Sequence, residues 1–218
     1  MPVFFRPCLG ILLLTLAAVP AVRADDVPTA RRTFDAAIAP GIGYFLYPQY
    51  VQEGYYINGR PYDLVWSGMQ LHFTGDAHWY FPSKPNLGLG VAVAYMIAPH
   101  PSGSDWENTV SADPHRKDPG GYLAVSGCFW PTERWRLEAR GGYGGTGVDV
   151  SGGSFGGWGF AVGFAAHRLF GSGPLAVGVG LRALSLVLSS PSHGTTRGEW
   201  GVYSSLLFEV LFDYARKR

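Results

Sequence analysis

Charge is scarce in this sequence. Asp, Glu, Lys and Arg make up 15% of 218 residues, and 17 cations against 16 anions leave a formal net charge of +1. That balance excludes the basic bias with which nucleic-acid-binding chains neutralise phosphates, and the high net charge of a disordered polyelectrolyte. Cysteine is scarcer, with only Cys8 and Cys128. An apolar run long enough to cross a bilayer as a helix is missing as well. The stretch from Leu9 to Val19 has about 11 residues and is closed by Pro20, against roughly 20 for a spanning helix.

That short run is preceded by Arg6 and followed by Val22-Arg23-Ala24, the layout of a secretory leader with small residues at the scission point. Cleavage is expected after Ala24, so that 1–24 is a signal peptide and 25–218 the exported chain, with a short lead over 25–33. Cys8 lies ahead of the apolar run, the wrong place for a lipidated cysteine. Removal of the leader leaves Cys128 alone, which excludes the small disulfide-stapled class and reads as a packing residue.

Glycine and aromatics are plentiful, with 31 Gly and 15% Phe, Trp and Tyr. Together they suggest tight turns and large side chains on strands. Period-2 alternation bounded by turn residues recurs eight times, over 34–47, 63–81, 87–98, 121–130, 135–145, 156–168, 175–188 and 199–214. Most of these segments are long for globular strands and about the length a tilted strand needs to cross a membrane. The connections alternate in kind. PSKPN (82–86), PTER (131–134) and LFGSGP (169–174) are short, whereas 48–62, 99–120, 146–155 and 189–198 are longer and richer in Gly, Ser, Pro and Asp. Short turns therefore fall at one end of the sheet and long loops at the other, the pattern of an outer-membrane barrel.

The two faces of the strands differ sharply. One register carries Ile38, Ile42 and Tyr44, Leu89, Val91 and Val93, Phe160, Val162 and Phe164, and Phe208, Val210 and Phe212, without a charge. The other holds the ionisable groups, among them Asp35, His72 and Asp213, together with Gly/Ala rows such as Gly88, Gly90, Ala92 and Ala94. Eight strands leave an interior just wide enough for side chains, so the bulky row would overfill it and belongs outside, toward lipid. Trp79, Phe81 and Trp135 at the short-turn end, with Tyr44, Tyr143, Trp158 and Trp200 at the other, fit two interfacial girdles. Pro40 cannot donate to a closed ladder, which predicts a bulge with Gly41.

With this pattern and the aromatic last strand YSSLLFEVLFDY, the chain resembles the small eight-stranded outer-membrane barrels of Gram-negative bacteria, the OmpA/OmpX-like group. The likeness spans the signal peptide and 33–214. It implies an all-β, eight-stranded antiparallel up-and-down transmembrane barrel, monomeric, in contact with outer-membrane lipid and lipopolysaccharide and folded by the outer-membrane assembly machinery. No nucleic acid, metal or cofactor is implied. Barrels of that group end on an aromatic residue, whereas here Tyr214 is followed by Ala215-Arg216-Lys217-Arg218.

Inside such a barrel Asp76, His78, Arg136, Glu138, Arg140, His167, Arg182 and Glu209 must pair with one another, because unpaired charge in a narrow interior is costly. They form an expected lumen charge network that plugs the barrel, with Glu209 and Asp76 as the partners of Arg136 and Arg140. The competing expectation is a narrow polar pore. Asp76 with His78 and His167 is a weaker candidate for a cation near the short-turn rim. Ser192, His193 and Glu199 carry the residue types of a Ser-His-acid hydrolase, as a lipid A acyl-modifying enzyme would need, but adjacent Ser192 and His193 diverge and the chemistry needs rigid mutual contact. The apolar inward residues of the other half, Phe45, Trp66, Met96, Tyr122, Leu184, Leu186, Tyr203 and Leu207, either pack together or line an acyl pocket. The function expected is structural or surface-interacting, through the long loops. A lipid A enzyme and a secreted lipocalin-like binder are the alternatives.

Overall fold

The computed structural model describes residues 32–50, 56–57, 60–61, 63–98, 102–105, 111–112, 116–150, 153–171, 173–190 and 199–217. The leader, the scission point after Ala24, and Ser192 and His193 lie outside the described residues. Eight long strands carry the fold: β1 Arg32–Tyr50, β2 Asp63–Phe81, β3 Lys84–Ile97, β4 Arg116–Thr132, β5 Trp135–Val150, β6 Gly153–Phe170, β7 Leu175–Ser190 and β8 Glu199–Lys217. Each pairs antiparallel with its neighbours in sequence, and β1 pairs with both β2 and β8, so the sheet closes into a barrel. Closure leaves none of the eight strands at an unpaired sheet edge, which is what permits a sheet to sit in a medium without hydrogen-bonding solvent.

All eight expected segments are strands, and most are longer than the alternation indicated. Turns at 82–83 and 133–134 and the bend at 173–174 connect them at one end. Gly171, at φ 97°, supplies the left-handed residue that the third connection requires. At the other end two expectations need correction. The supposed long loop 146–155 is a continuation of β5 and β6, paired out to Val150 and Gly153. Loop 99–120 contains Ser102–Asp105 and Ser111–Ala112, which pair with each other, and the first of them extends the edge of β2 at Leu64 to Ser67. The strands run farther because Gly-rich stretches with little alternation still satisfy their backbone groups on a neighbour.

Pro40 produces no bulge. Its register with β2 is unbroken, Pro40 facing Phe73, and the ladder to β8 skips Ala39 and Pro40 but resumes at Gly41 opposite Glu209 with the same offset. A missing donor opens the ladder locally without inserting a residue. The shift lies instead between Arg32 and Phe34. At the C-terminus β8 continues past Tyr214, with Ala215 buried and Lys217 opposite Arg32.

The bulky register is outside. Ile38, Val93, Leu123, Val125, Phe160 and Phe208 are exposed, an apolar belt around the barrel that water would not tolerate at this extent and hydrocarbon would. This excludes the lipocalin-like arrangement, in which that row would line the interior. Inside, Phe45, Tyr47, Met96, Tyr122, Leu184, Leu186 and Tyr203 form one apolar cluster, and Tyr80, Cys128, Trp130, Leu169 and Leu211 form a second near the short-turn end.

Candidate functional site

The charged side chains and histidines of the lumen come from six strands, β1, β2, β5, β6, β7 and β8. Along β5, alternate residues Arg136, Glu138 and Arg140 point inward, about 6.6 Å apart per pair of residues. That spacing lets one carboxylate sit between two guanidiniums. Glu138 takes the role, with Arg136 Nε 2.9 Å from Oε1 and Arg140 Nη2 donating to Oε2 at 2.7 Å. Arg182 from β7 reaches the same Oε2 at 3.1 Å. Asp76 from β2 accepts from Arg136 and, at 2.6 Å, from Arg140.

Glu209 on β8 organises a second group. It accepts from Arg182 Nε at 2.7 Å and His167 Nε2 at 2.9 Å, with His72 Nδ1 at 3.3 Å. Arg182, bonded to both Glu138 and Glu209, joins the two groups. The expected pairing of Arg136 and Arg140 with Asp76 is present, but Glu209 is not their partner. Arg136 instead sends Nη1 to Asp213 Oδ1 at 2.8 Å. The correction follows from the β7–β8 register, in which Glu209 stands opposite Gly180, close to Arg182.

Glycines make room for this network. A Cβ at Gly180 would lie 2.4 Å from His167 Cδ2, and one at Gly41 would lie 2.9 Å from Glu209 Cγ. The small inward residues are thus the spaces into which charged side chains from neighbouring strands fold.

The short-turn end adds groups that alternation left out of the candidate set. His78 Nδ1 donates to Asp35 at 2.9 Å and its Nε2 lies 2.9 Å from the Ser126 hydroxyl. Tyr80 donates its hydroxyl proton to Asp35, and Trp130 Nε1 donates to the Tyr80 oxygen at 2.7 Å. Arg32 lies 3.4 Å from the centroid of the Trp130 ring and bonds Asp213 at 3.3 Å, a cation–π contact that caps the lumen. Tyr80 shares the parity of His78, and Trp130 that of Cys128, so a stricter use of the period would have included both. Arg32 was illegible, because the shift between Arg32 and Phe34 inverts the parity at that point.

The cation reading of Asp76, His78 and His167 fails on geometry. Asp76 is held by two arginines, and His167 turns to Glu209. Asp35, His78 and Cys128 do bring one donor atom each within 4.8 Å of one another, from three strands and so invisible to local spacing. Arg136 Nη2 stands 3.3 Å from His78 Nδ1 and 3.9 Å from Asp35, and a guanidinium there holds the position a metal cation would need. Of the hydrolase candidates, Glu199 opens β8 opposite Ser190, and its partners Ser192 and His193 fall outside the described residues.

His72, His78, Arg136, His167, Arg182 and Glu209 are 0% exposed. A water-sized probe reaches none of them from either end. Above them the apolar inward residues pack rather than gape: Phe45 stacks on Tyr203 at 5.2 Å and Tyr203 donates to Gln70. Phe45, Met96, Tyr122, Leu184, Leu186 and Leu207 are buried as expected, and the side chain of Trp66 lies outside the description.

No protein-family model and no curated protein matches the chain. Among solved structures it is similar to Neisserial surface protein A, with a TM-score of 0.50 and 13% identity over 87% of this chain and 100% of that one. The outer membrane protein OprG from Pseudomonas aeruginosa gives 0.48 and 10% over 86% and 98%. Ail, the attachment invasion locus protein of Yersinia pestis, gives 0.40 and 11% over 84% and 99%. At such identities only the fold is shared. The closed ladder, the exposed apolar belt and the paired charges of the lumen, with the likeness of fold to Neisserial surface protein A, make this chain a small eight-stranded β-barrel of the outer-membrane type.

Proposed function

We propose that the protein is a non-enzymatic outer-membrane barrel whose closed lumen serves as a rigid frame and whose connections at the end opposite the short turns make its contacts at the cell surface. The observation that carries this reading is the burial of the charge layer across the lumen, every member of it less than a tenth exposed. A barrel that conducts needs a continuous wet path, and salt bridges among six of the eight strands with an apolar cluster above them oppose one. The charges then contribute conformational specificity and closure, because each is paired inside a low-dielectric interior. The leader-like N-terminus supports export, and the lipid-facing belt supports residence in a bilayer as a monomer, with lipid and lipopolysaccharide around it after insertion by the assembly machinery.

Reconstitution into a planar bilayer tests the reading: the folded protein is expected to give no current steps above baseline, and a resolved, reproducible conductance would overturn it. The enzymatic alternative has its own measurement. Mass spectra of lipid A from cells with and without the protein are expected to coincide, and an altered acyl number that vanished on replacing Ser192, His193 or Glu199 would establish catalysis instead.

A further inference from the structure

The lipid-facing register is free of charge along the strands but not at their short-turn ends. Arg168 on β6 and Arg216 on β8 both point outward and are exposed, as is Arg134 in the turn before β5. Depth follows from register. Arg168 stands opposite Trp135, with exposed Phe170 two residues beyond it. Arg216 stands opposite Phe34, two residues past exposed Tyr214. These aromatic rings mark the boundary between hydrocarbon and headgroups, so the guanidiniums reach the level of the phosphates, where an outward Arg is tolerated.

Two of the three arginines are neighbours, and the third stands apart on the same rim. The Leu169 amide donates to the Arg134 carbonyl at 2.7 Å, which sets Arg134 beside Arg168. The Ala215 amide donates to the Pro174 carbonyl at 2.8 Å, which brings Arg216 against the next turn. Arg168 pairs with Val179 and Val179 with Val210, so Arg216 lies two strands over and six residues farther along, about 20 Å from Arg168. The ion pairs of the described residues lie inside the lumen, so these guanidiniums take no part in them. Glu133 is the acid next to the arc, whereas the sequence adds Lys217 and Arg218 just beyond Arg216. The opposite end has the reverse bias, with eight acids and four cations over 48–63, 98–119, 146–155 and 189–199.

From this arc we infer that the short-turn rim binds the phosphodiester headgroups of anionic phospholipids in the leaflet it faces. Guanidinium matches phosphate oxygens bidentately, and adjacent cations at phosphate depth attract anionic lipid over zwitterionic lipid. The inference rests on the membrane placement proposed above and names one lipid class for one rim.

The test uses the full chain in nanodiscs of phosphatidylcholine that contain equal mole fractions of either brominated phosphatidylglycerol or brominated phosphatidylcholine, with tryptophan quenching as the readout of annular lipid. Phosphatidylglycerol is expected to be enriched at least about fivefold over phosphatidylcholine at low salt. The preference is expected to fall toward unity in 1 M salt, where charges are screened within about 3 Å, and in the triple variant R134Q/R168Q/R216Q. Arg197→Gln, at the opposite end, is expected to keep it. Heat-modifiable gel mobility checks first that each protein is inserted and folded. Wild-type protein that does not insert would overturn the membrane placement and this inference together. Inserted wild-type protein without a lipid preference, or a folded triple variant that retains the preference, would overturn this inference alone.

Discussion

A single side chain in this barrel meets one of two opposite environments, and the same substitution has opposite meanings in each. Val125 lies on the lipid face in the middle of β4 and is 60% exposed. Val125→Arg is expected to lower stability by about 2–4 kcal/mol, the cost of a cation at the bilayer midplane, read as a lower urea midpoint for heat-modifiable mobility. A wild-type midpoint would mean that the faces are reversed. In the lumen the cost comes from losing a charge. Arg182 joins Glu138 to Glu209, so Arg182→Met leaves both carboxylates short of a partner and is expected to cost about 3–5 kcal/mol. The double variant R182M/E209M removes a charge of each sign and is expected to recover much of that loss. A double variant less stable than the single would show that Glu209 stabilises the barrel through His72 and His167 without Arg182. The glycine at position 180 belongs at this scale too. Gly180→Ala places a Cβ 2.4 Å from the His167 ring, with an expected penalty of about 1–3 kcal/mol for overpacking.

Among the elements, the β1–β8 seam decides whether the sheet is a barrel at all. It is the one pairing between strands remote in sequence, it carries the shift at Arg32/Phe34, and it skips Ala39 and Pro40. Close approach at this seam depends on Gly43, where a Cβ would lie 2.1 Å from the Leu206 carbonyl oxygen. Gly43→Val is therefore expected to abolish the compact, heat-modifiable form. Gly141→Val is the matched control, since a Cβ there meets nothing within 4 Å, and it should fold like the parent. Equal folding of the two variants would show that the seam tolerates a side chain. The eight strands themselves are legible in the sequence because period-2 alternation is a local property of consecutive residues. Their ends are less so: 146–155 is rich in Gly and alternates weakly, yet most of it pairs, because backbone hydrogen bonding does not need a side-chain pattern.

At the scale of the whole molecule, two layers of buried side chains lie in series in the lumen, the charge layer and the apolar cluster around Phe45, Met96, Leu186 and Tyr203. Removing one should not open it. The variant R140A/R182A is expected to be less stable but still non-conducting in planar bilayers, and current through it would show that the charges alone hold the barrier. Face assignment, strand number, the lipid-facing belt and the identity of the lumen charges could all be read from residues two apart, because a strand's pleat translates sequence parity directly into direction. Partner choice could not. His78 bonds Asp35 and Glu209 bonds Arg182 across neighbouring strands whose register no local pattern states, and Arg136 bonds Asp213 and Arg32 stacks on Trp130 across the lumen, between strands that meet only when the sheet closes. Closure fixes the offset between β1 and β8, the offset fixes which inward side chains share a level, and at that point parity in the sequence carries no information.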